Sequence, residues 1–411
     1  MPFFASSRNI GAMMKNTNTV IIAGAGLGGL TLALCLVRAG FTVKVLEQAA
    51  ALGEVGAGVQ ISANGARVLY HLGLAEELNA VGFTPEAGQM RHWQTGETLS
   101  SRPLGKESEE KFGFPYFHLH RADFHRVLAD ALTAAAPGSI YLDSKVTGFD
   151  QSEDGVTVTL ENGESHAGDV LVGCDGIHST VRGQLFGPDA PRFTGCVAWR
   201  ATVPVEALPP DHVRPVASNW IGLGGHFVHY YVRSGELVNC VGIMEQDEWQ
   251  AESWSNEGAK GEFLKDFAGW HENLQILMRA AESCFRWGLF DRDPMDRWSD
   301  GRVTLLGDAC HPMLPFMAQG AVMAIEDAYT LAQCLAQNSE QDADPAAALL
   351  SYEGLRKERT ATVQQMSRDN IQFFHHADIP NLEERMSRHR EAHLWLYSFD
   401  VTQQDFISRG S

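Results

Sequence analysis

Residues 19–29 read Thr-Val-Ile-Ile-Ala-Gly-Ala-Gly-Leu-Gly-Gly, and residues 41–47 read Phe-Thr-Val-Lys-Val-Leu-Glu. The first stretch is an apolar run ending in a G-x-G-x-x-G turn (Gly24, Gly26, Gly29). A helix-like segment separates it from the second apolar run, which ends in Glu47. The pattern is strand, tight turn, helix, strand, and its physical reading is a dinucleotide site. Gly24 permits the turn, Gly26 lets the backbone approach a pyrophosphate, and Gly29 lets the helix pack close to the strand. The helix start offers unpaired N–H groups and a positive dipole end to phosphate. Glu47 is placed to accept from ribose hydroxyls.

The chain around this unit has 411 residues, 44% of them apolar, enough for a large core in one or two domains. Its net charge of −19 repels nucleic acid and anionic membranes, so neither is expected as a partner. A small anionic substrate remains compatible, because a pocket can be locally basic. Residues 20–37 carry no charge, and a hydropathy window flags them as a membrane span. Four glycines at motif spacing and Thr31 lie among them, so a buried strand and turn are the better reading. No export signal is read at the N-terminus. The seven cysteines are scattered and never in C-x-x-C spacing, the pattern of reduced thiols in a cytoplasmic enzyme. His375 and His376 are adjacent, which is poor spacing for two ligands to one metal, and no metal is expected.

Periodicity predicts a helix over residues 64–78, a strand over 114–120, and a helix from Arg121 to Ala135. Between 194 and 244 the texture becomes β-rich with turn clusters, the mark of a mostly antiparallel sheet. Residues 302–308 return to the buried-strand style, with helices from about 320 and 345. The expected fold class is α/β. A Rossmann-like first part (18–190) and second part (291–365) enclose an inserted, mostly antiparallel β-sheet substrate domain (191–290), and a helical tail follows (366–411).

Two further segments complete the pattern: Gly173-Cys-Asp-Gly-Ile-His-Ser-Thr-Val-Arg182, and Gly307-Asp-Ala-Cys-His-Pro-Met-Leu-Pro-Phe-Met-Ala-Gln-Gly-Ala-Val-Met-Ala-Ile-Glu-Asp327. With all three in this order, residues 18–365 resemble the single-component FAD-dependent aromatic hydroxylases, the p-hydroxybenzoate hydroxylase-like group. Gly307-Asp-Ala-Cys-His-Pro, Met317-Ala-Gln-Gly-Ala, and His226 four residues before Tyr230 are similar to the branch of salicylate hydroxylase, 3-hydroxybenzoate 6-hydroxylase and 6-hydroxynicotinate 3-monooxygenase. The resemblance implies FAD contacts from Gly24, Gly26, Leu27, Gly28, Gly29, Glu47, Gln48, Gly58, Val59, Arg121, Asp175, Gly176, Asp308, Pro315, Gln319, Gly320 and Ala321. Residue chemistry agrees at several of these. Asp308 follows a buried apolar strand, where an unpaired charge is costly and a hydroxyl-rich ribityl chain is a natural partner. Gln319-Gly320-Ala321 opens a helix whose dipole favours negative charge on a reduced flavin.

The resemblance also implies NADH or NADPH as a transient co-substrate, since the chain has only one such glycine fingerprint. It implies O2 as the oxidant and transfer of oxygen from a flavin C4a-hydroperoxide to an electron-rich ring carbon. The substrate class it implies is a small hydroxylated aromatic acid, hydroxylated with or without decarboxylation, by a monomer or homodimer. Three catalytic candidates follow. His226 and Tyr230, four apart on one strand, project from the same face for docking and proton handling, while His229 points away. His311, between Asp308 and the next helix, is expected beside the flavin. A carboxylate is normally recognised by an arginine or several N–H donors; Arg200 and Arg233 lie in the substrate domain, though neither matches a motif position, so the substrate is given only as a class. Two competing readings are an epoxidase or hydroxylase of a larger polycyclic or isoprenoid metabolite, and a flavin-binding redox sensor without turnover.

Overall fold

In the computed structural model, which describes residues 18–53, 57–247, 258–340, 344–375 and 382–406, the opening unit forms the middle of a five-stranded sheet. Across it run Val303–Leu305, Val170–Gly173, Thr19–Ala23, Thr42–Leu46 and Ile140–Tyr141, every pair parallel. Val20, Ile21 and Ile22 are fully buried, as a parallel sheet covered on both faces requires. The turn works as its glycines predict. Gly24 sits at φ +106°, and a Cβ there would lie 2.5 Å from the Cys174 carbonyl oxygen. A Cβ on Gly29 would lie 2.1 Å from the Gly24 oxygen. Helix Leu27–Arg38 therefore lies tight against the sheet, with Gly320–Ser339 and Arg121–Ala135 packed on it.

The β-rich region folds into a seven-stranded sheet in the order Phe285–Asp291, Arg192–Pro204, Leu237–Glu245, Gly225–Val232, Val216–Gly222, Ala87–His92, Thr98–Pro103. Its last two strands come from within residues 18–190, and Val216–Gly222 pairs parallel with Ala87–His92. The sheet is thus antiparallel except at one seam. The helix expected over 64–78 is two helices, Ala63–His71 and Ala75–Val81; between them Gly73 at φ +70° turns the chain. Val146–Gln151, Val156–Leu160 and Ser165–Gly168 form a small antiparallel sheet. Helix Pro345–Phe374 runs for 30 residues, and in the tail helix Leu382–Ser398 both Leu396 and Tyr397 join the core. Among the described residues no helix is long and apolar enough to cross a membrane, and no residue cluster could hold a metal ion. The readings placed on residues 1–16 and His376 lie outside the described residues.

A buried charge network joins the two long helices. Glu326 and Asp327, on the first, meet Arg356 and Arg359 on the second: Arg356 to Asp327 at 2.7 Å, Arg356 to Glu326 at 2.8 Å, Arg359 to Glu326 at 2.8 Å. Burial alone would raise both carboxyls. His311 and Arg356 outweigh it at Asp327, and Arg356 and Arg359 at Glu326, so both are held below the usual carboxylate range. Depressed folded-state values mean that this contribution is complete at neutral pH and is lost as pH falls through them. Removing one partner strands a buried charge, at a cost of about 3–5 kcal/mol. Arg356→Ala is therefore expected to shift the urea midpoint sharply downward. Arg297→Ala, which removes an exposed pair with Asp300, should change the unfolding free energy by no more than about 0.5 kcal/mol.

Candidate active site

The glycine turn and the seven-stranded sheet face each other across one cavity of about 370 Å³. At its first end the wall is largely backbone. Gly26, Leu27, Gly28 and Gly29 from the turn, Gly58 and Val59, Gly176, Asp308, Pro315, and Gly320 and Ala321 at a helix start all line it, with the Arg121 side chain among them. Two helix N-termini thus point into the same space: Leu27–Arg38, capped by Gly26, and Gly320–Ser339. Both present N–H groups with no intrahelical partner. An added Cβ on Gly26 meets nothing within 4 Å, so a cradle stands open there at the point where a pyrophosphate would approach. The Asp308 side chain opens into the cavity, and the protein around it pushes its carboxyl upward, against the pull of His311 and Arg121. A bare-backbone cradle, two helix starts and an open carboxylate fit FAD.

Several residues expected at the cofactor stand behind this wall instead. Gly24 shapes the turn from beneath. Glu47 turns its carboxylate to backbone, accepting from Ala25 N at 2.8 Å and Ala49 N at 2.9 Å, so it braces the turn; Gln48 follows it as an exposed residue. The Asp175 carboxylate accepts from Thr180 N and Val181 N and starts helix Thr180–Phe186. Gln319 is fully buried and bonded to Ser62 and Asn64. Arg182, which closes the second motif, donates to the carbonyls of Ala309 and Ile177 and so ties that motif to the third.

His311 is the clearest correction. It is 1% exposed, bonds Asp327 through Nε2 at 2.5 Å, and packs on Trp298, outside the cavity wall. Sequence proximity to Asp308 suggested the flavin, but the buried carboxylate of Asp327 draws the ring into the charge network.

The cavity's other end is one face of the sheet. Strand alternation sends His226, Val228 and Tyr230 inward, with Val241 and Ile243 of the next strand, Arg200 of the third and Trp287 of the fourth. His229 lies on the opposite face beside Trp220, as expected. Arg200 lies over the Trp287 ring at 4.3 Å. Burial pushes the Tyr230 phenol up to about 12, against the pull of Arg200. Burial, reinforced by His375, holds His226 well below the ordinary histidine value, so it is neutral at pH 7. Its Nδ1 lies 2.9 Å from His375 Nε2, and Phe316 and Phe374 flank its ring. Arg233 is elsewhere, bound to Asp123 at 2.8 Å. Arg200 carried no motif signal, although its register opposite Val241 would have placed it. His375, at the end of a distant helix, had no local signal at all.

Residues 17–368 match the family model described as FAD binding domain. The chain is 39% identical to 3-amino-4-hydroxybenzoate 2-monooxygenase of Streptomyces platensis, over 94% of this chain and 97% of the relative. It is 38% identical to 6-hydroxynicotinate 3-monooxygenase of Bordetella bronchiseptica, over 96% and 98%. Among solved structures, a salicylate hydroxylase substrate complex superposes with a TM-score of 0.80 at 27% identity, covering 94% of this chain and 97% of that one.

Because the Gly26 position is open, Gly26→Val is expected to fold with a normal melting temperature yet purify without flavin absorbance. Asp308→Ala should lose most of its flavin as well. Normal absorbance in both purified variants would contradict the assignment of this end to FAD.

Proposed function

The chain belongs to the FAD binding domain family and is an FAD-dependent monooxygenase of aromatic rings; we propose that it hydroxylates a single-ring, hydroxylated aromatic carboxylate. The observation that carries this reading is the face of the seven-stranded sheet on which Arg200, Tyr230 and His226 together line the cavity. The substrates named for the two relatives, 3-amino-4-hydroxybenzoate and 6-hydroxynicotinate, belong to that class.

Each residue then has a task. Arg200, held against Trp287, receives the carboxylate in charge-assisted hydrogen bonds. Tyr230, neutral throughout the physiological range, donates to a ring substituent. His226, neutral because burial disfavours its charged form, accepts the ring hydroxyl's proton, which raises electron density ortho and para to that oxygen. Val228, Val241, Ile243 and Leu289 keep the reacting carbon away from water. FAD, when bound, supplies the reduction by NADH or NADPH and the activation of O2. Gly320 and Ala321 direct their helix start at the place where the flavin's negative charge would accumulate. The free state of all seven cysteines supports a cytoplasmic location, and we expect a monomer or homodimer.

The test is NADH and NADPH oxidation by the FAD-loaded protein across salicylate, 3-hydroxybenzoate, 4-hydroxybenzoate, 6-hydroxynicotinate and 3-amino-4-hydroxybenzoate, with products identified by mass. One acid should stimulate oxidation and gain one oxygen; no stimulation by any would sink the substrate class. With that acid, Arg200→Gln should raise KM about 10–100-fold, the worth of about 1.5–3 kcal/mol in charged hydrogen bonds, with flavin retained. His226→Ala should keep flavin and lower coupled hydroxylation, and wild-type coupling would remove His226 from the site.

A further inference from the structure

Among the described residues no carboxylate is bonded to His226, yet the proposed reaction leaves it holding a proton. Its Nδ1 lies 2.9 Å from Nε2 of His375. His375 Nδ1 lies 2.8 Å from Oε1 of Glu245. His226 and His375 are 2% and 1% exposed, whereas the Glu245 side chain is 50% exposed. The three groups therefore form one hydrogen-bonded line from the cavity wall to the surface. Backbone bonds fix its geometry: Gly224 N donates to the His375 carbonyl at 2.9 Å, and Glu245 N donates to the Gly224 carbonyl at 2.8 Å. The hairpin turn thus holds the end of helix Pro345–Phe374 against the strand that carries Glu245.

We propose that His226, His375 and Glu245 form a proton relay that carries the substrate's ring-hydroxyl proton from the cavity to solvent. The relay rests on the substrate reading above. The substrate O–H bond breaks as Nε2–H forms on His226. The His226 Nδ1–H proton passes to His375 Nε2, the His375 Nδ1–H proton passes to Glu245, and the Glu245 carboxyl releases it to water. Both imidazoles end in the opposite tautomer, neither buried ring carries a lasting charge, and the return transfer at product release resets the line.

Four neighbouring side chains do not compete for the proton. Cys196, on the strand beside Glu245, is pushed up to about 12 by burial and by Glu245, so its thiol stays protonated. His389, on the tail helix behind Phe374, is brought down to about 3 by burial and by Arg102, so it stays neutral. Phe316 and Phe374 pack against the His226 ring and present no proton acceptor. Glu245 bonds the His375 ring directly and is half-exposed, so it meets both the line and the solvent.

The experiment mixes the FAD-loaded protein anaerobically with each acid of the panel in weakly buffered phenol red, and records binding by flavin absorbance. Wild type should release about one proton per bound acid. Glu245→Gln should slow that release at least tenfold with Kd within twofold and flavin content unchanged, and Glu245→Asp should restore most of the rate. A purely structural role for Glu245 would move Kd or flavin content instead. Since His375 is buried, His375→Gln is a second variant with the same expected slowing. Wild-type release rates in both variants overturn the relay, and so does an acid that binds wild type without releasing a proton. If no acid binds, the substrate reading fails by itself. Histidine 15N spectra of the ligand-free holoenzyme then decide the relay: Glu245→Gln should shift both the His375 and His226 ring signals, and unchanged spectra overturn it.

Discussion

The charge network of Glu326, Asp327, Arg356 and Arg359 sets the positions on which the rest of the site depends. It joins two helices at a depth where each ion needs a partner within hydrogen-bond reach, so the helices have one relative placement. Helix Gly320–Ser339 runs from the network back to the cavity, and its first residues form part of the flavin-facing wall. Helix Pro345–Phe374 runs from the network the other way and delivers His375 to His226. The distance from Arg356 to Phe374 along a helix is roughly 27 Å at about 1.5 Å per residue. One buried contact therefore fixes two features on opposite sides of the cavity. His311 joins the same network through Asp327, which explains why a loop histidine next to Asp308 ends up as structure.

Legibility in the sequence followed the range of the interaction concerned. The glycine turn is local: Gly24 and Gly29 are dictated by atoms a few residues away or on the next strand, so their spacing alone carries the reading. Alternation along a strand is also local, and it placed His226 and Tyr230 on one face and His229 on the other. Partners brought together by tertiary pairing were invisible. Ala87–His92 joins the substrate sheet through a parallel seam with Val216–Gly222, a pairing across more than a hundred residues that no periodicity announces. Asp175 and Gln319 sit at motif positions, yet their side chains are spent on a helix start and on Ser62 and Asn64. A motif fixes which residues lie near a cofactor; hydrogen-bond demand from the buried backbone decides which of them face it.

Charge poses a second constraint. The whole chain carries −19, and a small aromatic acid is itself an anion. Only a local field can make the cavity welcome it, and Arg200 supplies that field at the inner wall. Its guanidinium lies 4.3 Å from the centre of the Trp287 ring, within reach of cation–π attraction, and its planar fork matches a carboxylate.

The same low-polarity wall that protects the reacting carbon creates the demand for a proton exit. Burial holds His226 neutral and ready to accept, but it equally opposes the imidazolium that acceptance would leave behind. A base in such a place works only if its other nitrogen can pass a proton on in the same event. A water-filled channel would meet that need and admit water to the reaction; a line of hydrogen-bonded side chains meets it and keeps the wall closed. The position of His375, between a buried ring and a half-exposed carboxylate, answers both requirements at once.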